Sequence, residues 1–106
     1  MSGQSETLSG VGKVWTAGKE VAEVSYGIEA HIESAENASG KVTALRVDEA
    51  VLTEITGARL HDLLLNPDLT LHLEDGRRLE FSIVTRISGS RRARVIGKGQ
   101  RGIYTP

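Results

Sequence analysis

Residues 22–33 alternate without a break. Every even position, from Ala22 through Val24, Tyr26, Ile28 and Ala30 to Ile32, is apolar, and every odd one is polar or Gly. A period of two over that length describes a half-buried β-strand, with Val24, Tyr26, Ile28 and Ile32 on its inward face. At about 3.3 Å per residue the stretch spans some 40 Å, roughly twice a typical strand. A chain of 106 residues cannot bury one side of so long a strand unless the strand bends, and Gly27 is the natural place for a kink or bulge. Barrel strands bend in this way.

The neighbouring segments extend the pattern. Residues 11–16 read as a first strand, turned by Ala17, Gly18 and Lys19 into the long one, and residues 34–40 read as a polar loop. Residues 41–47 resume strand chemistry with Thr43, Leu45 and Val47. In residues 48–56, Asp48 suits a helix cap, yet Val51, Thr53, Ile55 and Thr56 are β-branched and favour a strand, which is the reading adopted. Leu60, Leu63 and Leu64 have the spacing of a short helix over 58–65, stopped by Asn66 and Pro67.

Two hairpins follow, and their registers can be argued from parity, because directly opposed residues of an antiparallel pair share a face. A loop of Glu74, Asp75 and Gly76 opposes Leu71 to Leu79 and Leu69 to Phe81, with Gly76 in the left-handed position. A loop of Ser88, Gly89 and Ser90 opposes Thr85 to Ala93 and Ile83 to Val95. The expected fold is therefore all-β with one short helix, a small antiparallel β-barrel or strongly curled sheet of six to seven strands. Residues 11–97 form that single domain, residues 1–10 a disordered tail, and residues 98–106 a flexible basic tail.

Composition narrows the classes. With no Cys there is no disulfide, thiolate metal site or thiol nucleophile. No apolar run approaches the roughly 20 residues of a membrane helix, and no basic segment followed by an apolar one opens the chain. These features point to a cytoplasmic protein without a membrane association.

The formal net charge of -1 hides an uneven distribution. Residues 1–76 carry five basic and 13 acidic side chains, a net of -8, whereas residues 77–106 carry eight basic side chains against Glu80, a net of +7. In the expected hairpin registers Arg78, Arg86, Arg92 and Arg94 share one outer face, and Arg86 opposes Arg92. Like charges placed opposite each other are unfavourable, so acidic groups or an anionic ligand should lie nearby. Glu23, Glu29 and Glu33 on the long strand are the internal candidates.

Other chemistry is sparse. His31 with Glu33, and His72 with Glu74, each put an imidazole and a carboxylate on one strand face, two ligands where a zinc site wants three or four. No hydroxyl sits on a strand-to-helix elbow. The expectation is no catalytic centre, no metal and no cofactor. Of the four aromatics, Tyr26 and Phe81 fall in the core, leaving Trp15 and Tyr104 as possible stacking platforms. The leading functional expectation is a non-enzymatic binding or assembly module whose arginine face meets an acidic protein partner or a second copy of itself. The alternative is binding of nucleic acid or a small phosphorylated ligand on the same basic face. A metal-dependent enzyme using His31 or His72 is a more remote third.

Overall fold

The structure is a computed structural model, and it describes residues 5–37, 40–87, 92–98 and 102–105. Seven strands and one short helix follow in the order β1 (Ser5–Thr16), β2 (Lys19–Asn37), β3 (Gly40–Thr56), α1 (Leu60–Leu64), β4 (Leu69–His72), β5 (Arg78–Ile87), β6 (Arg92–Gly97) and β7 (Ile103–Tyr104). The first six strands close into an antiparallel ring, β1-β4-β5-β6-β3-β2 and back to β1, with β7 as an additional strand. Of the two expected forms, the closed barrel is the one the chain adopts.

The ring consists of two three-stranded meanders, β1-β2-β3 and β4-β5-β6, with α1 between them in the chain. Two short seams join the halves. Lys13, Val14 and Trp15 of β1 face His72, Leu71 and Thr70 of β4, and Ala50, Val51 and Leu52 of β3 face Val95, Arg94 and Ala93 of β6. Leu63 of α1 is buried in the core. Among the described residues no helix is long and apolar enough to cross a membrane.

The period-two stretch forms the middle of β2, and Val24, Tyr26 and Ile28 are buried as its alternation requires. Ile32 is half-buried. The bend does not sit at Gly27, which pairs regularly with Ser9 and Val51. The β2–β3 register shifts between Glu23 and Ser25 and again between Glu29 and Ala30, with the extra residues on β3. One of them is accommodated by Glu54 in a left-handed conformation (φ 50). Bulges bend a strand and increase its twist, and these two curl the long pair around the core.

Several boundaries move outward from those expected. β1 begins at Ser5, where it pairs with His31, so residues 5–10 belong to the sheet. β2 and β3 run on to Asn37 and Gly40 through most of the expected loop. The segment expected as a basic tail contains β7, whose Ile103 is buried and pairs with both Leu45 of β3 and Leu79 of β5. β6 and β7 share one lane of the barrel. Gly97 ends β6 opposite Phe81, the Lys98 N–H donates to the Glu80 carbonyl at 2.7 Å, and Ile103 resumes opposite Leu79.

The β4–β5 hairpin has the expected register, Leu71 opposite Leu79 and Leu69 opposite Phe81, with Gly76 at φ 91. The Asp75 carboxylate accepts from the Arg77 backbone N–H (2.9 Å) and Nε (2.7 Å), which holds its carboxyl below the usual carboxylate range. The β5–β6 hairpin keeps Ile83 opposite Val95, but a bulge at Val84 then moves Thr85 opposite Arg94, Arg86 opposite Ala93 and Ile87 opposite Arg92. The expected opposition of Arg86 and Arg92 does not occur. The loop at 88–90 lies outside the described residues.

Candidate functional site

Position in the ring decides which charges meet. β3 separates acidic β2 from basic β6, so Glu23, Glu29 and Glu33 are not the neighbours of the arginine strands. Glu23 takes Lys13 at 2.8 Å, Glu33 takes Arg46 at 3.5 Å, and Glu29 opposes Glu49. Arg94 instead meets Glu49 at 3.9 Å, with its own side chain 60% exposed. Exposed pairs of this kind contribute little each.

The four sequence-selected arginines do not form one cluster. Arg92 and Arg94 are exposed on β6. Arg86 lies opposite Ala93 in the backbone register. Arg78 stands at the other end of β5, seven residues from the position opposite Arg94, or roughly 23 Å at strand rise.

Among the described residues a cleft lies around Arg78. Two adjacent rows cross the outer face of the barrel over the β1–β4 seam. One row runs Lys13, His72, Arg78, Tyr104 and the next runs Trp15, Thr70, Glu80. The β1–β2 turn, with Ala17 (φ 51) and Gly18 (φ 74) both left-handed, forms one wall. Pro67, Asp68 and Lys98 also line the cleft, and Lys98 Nζ donates to the Pro67 carbonyl. The cleft is open to solvent on one side and has a volume of about 640 Å³, within the range of small-molecule sites.

Inside it, the Trp15 and His72 rings stack with centroids 4.8 Å apart and planes 7° from parallel. Burial pushes the His72 imidazole below its ordinary value, and the Arg78 charge adds to the effect. The Nε of Arg78 and the Nε1 of Trp15 are both shut off from solvent, and neither has an acceptor among the described residues. Two orphaned donors beside one cleft are unusual, since buried N–H groups nearly always find a partner. Trp15 and Tyr104, the aromatics left outside the core by the sequence pattern, both line this cleft.

The two histidine–carboxylate pairs do not meet. His31 Nδ1 lies 2.7 Å from Asp48, whereas His72 stacks on Trp15 and Glu74 accepts the Val11 N–H at 2.7 Å. Among the described residues no three His, Asp or Glu side chains converge as metal ligands would.

The His72 shift carries a pH expectation. Its folded value lies below that of the unfolded chain, so between the two the unfolded state binds more protons and stability rises with pH. The contribution is present above about pH 6.5 and is lost as pH falls through the lowered value. Urea denaturation of wild type and His72→Gln between pH 7.5 and 5 checks this. The wild type should lose more stability than the variant over that range, and parallel curves would contradict the placement of His72.

No protein-family model matches the chain, and no curated protein and no solved structure gives a significant match.

Proposed function

We propose that the chain is a non-enzymatic binding module and that it takes an anionic ligand in the Trp15–His72–Arg78 cleft. The observation that carries this reading is Arg78, a half-buried guanidinium whose Nε is sealed from water without an acceptor among the described residues. A guanidinium is always charged and presents donors suited to carboxylate or phosphate oxygens. Lys98, which also lines the cleft, adds a second cation. The neutral form favoured at His72 leaves one ring nitrogen as an acceptor, and proton uptake from solvent, favoured by the charge of a bound anion, would make both nitrogens donors.

Trp15 is the sole Trp, so its indole N–H gives one resolved signal in a ¹⁵N correlation spectrum. Titration with inorganic phosphate at low salt should move that signal together with the Arg78 Nε–H signal. Added salt should weaken the response. Shifts confined to Arg92 and Arg94 would reject the cleft.

A second reading keeps the β6 face as an assembly surface for an acidic partner or another copy. It is favoured by Val84 and Ile96, which are 51% and 54% exposed on adjoining strands beside the exposed Arg94. Sedimentation of wild type against Arg92→Glu plus Arg94→Glu tests it, and an unchanged oligomeric state and unchanged partner capture would remove it.

A further inference from the structure

We infer that the ligand of the cleft is a nucleotide, with its base added to the Trp15–His72 stack and a single phosphate on Arg78. The inference rests on the anion-binding reading of the same site and adds a chemical class to it. An anion site needs cations and donors alone. This cleft also contains an indole stacked on an imidazole at one side and the Tyr104 ring at the other. Nucleobases stack favourably on aromatic side chains, whatever the base, because every base has a π-face.

The spacing fits. Trp15 lies on β1 and Arg78 on β5, with β4 between them, so their strands are about 10 Å apart at the usual interstrand distance. A base on the stack extends through its sugar to place a phosphate over Arg78. Thr70, on β4 between those two strands and opposite both Trp15 and Glu80, lines the cleft and is the hydroxyl assigned to the sugar. The charges of the lining limit the phosphate number. Arg78 and Lys98 are matched by Asp68 and Glu80 in the same cleft, so a monophosphate is accepted where a triphosphate meets acidic repulsion.

The test is titration of the full chain, followed at the Trp15 indole N–H, with AMP, UMP, adenosine, ATP and inorganic phosphate in separate arms. The expected result is that at least one monophosphate binds ten-fold or more tighter than phosphate and than adenosine, and tighter than ATP. Arg78→Ala should weaken the monophosphate at least ten-fold. Arg78→Lys, which keeps the charge and removes the planar fork, should weaken it by a smaller factor than Arg78→Ala, which keeps the test valid if the alanine variant folds poorly. A 5′-phosphorylated tetranucleotide separates the sources of this chemistry. Binding tighter than the monophosphate assigns the site to a strand end, and equal or weaker binding assigns it to the free nucleotide. If inorganic phosphate binds as tightly as every monophosphate, the nucleotide inference fails and the anion-binding reading stands. If no arm moves the indole signal, both fail.

Discussion

Phe81→Ala is expected to cost about 3–5 kcal/mol of folding stability, the usual range for removing a buried aromatic ring. Phe81 is the largest of the fully buried side chains and has no exposure. It faces Leu69 on one side and Gly97 on the other, so β6 offers no side chain opposite it to move into the void. A domain of this size has about 5–15 kcal/mol in total. Each kcal/mol corresponds to about 4–8 °C in melting temperature for a chain near 100 residues, so a fall of at least about 12 °C is expected in a calorimetric scan. A loss below about 1.5 kcal/mol would mean that the packed centre lies elsewhere.

Gly12→Val is the second large effect, and it acts by crowding. A Cβ at Gly12 would come 2.8 Å from the His72 carbonyl oxygen, 3.0 Å from Leu71 Cδ1 and 3.1 Å from Tyr26 Cδ2. Overpacking of this kind costs about 1–3 kcal/mol, sometimes more. The upper end is expected because the nearest atom is backbone, and relief requires prying β4 from β1. Gly27 supplies the internal contrast. A Cβ there meets nothing within 4 Å, so Gly27→Ala should be neutral or gain up to about 0.5–1 kcal/mol, the strand penalty of glycine. Urea midpoints of the two variants should move in opposite directions, or the second not at all. Equal losses would contradict the register of β1 on β4.

The contrast between these glycines shows where sequence patterning has power. Alternation in β2 and parity in the β4–β5 hairpin are local properties, and they specify buried faces and partners correctly because each strand there is regular. β3 is different. Its inward residues Leu45, Val47, Ala50, Leu52 and Ile55 are spaced by two, three, two and three. The bulges at Asp48 and Glu54 change the parity twice, and the resulting spacing leaves no unbroken period of two to read. Nothing in a glutamate announces a left-handed backbone. The bulge at Val84 breaks the same parity rule in the last hairpin.

The cleft was legible in its parts and not as a whole. Trp15 and Tyr104 were recognisable as aromatics with no place in the core. Their meeting depends on the β1–β4 seam and on β7 continuing the lane of β6. The seam is a long-range pairing, and β7 is two residues long, too short to show any period. Arg78 looked like one of four equivalent arginines because strand parity reports a face and says nothing of position along it.

The two-meander construction gives the uneven charge a mechanical meaning. Residues 1–56 carry four basic and nine acidic side chains, a net of -5, and residues 69–106 carry eight basic and three acidic, a net of +5. Each half is continuous in sequence, and the chain joins them through the segment that holds α1. The barrel is in this sense a complex of two oppositely charged partners that happen to share a polypeptide. The tether keeps each half at high effective concentration for the other. Their opposite net charges attract, so the folding rate is expected to fall as added salt screens them, which refolding at low and high salt checks.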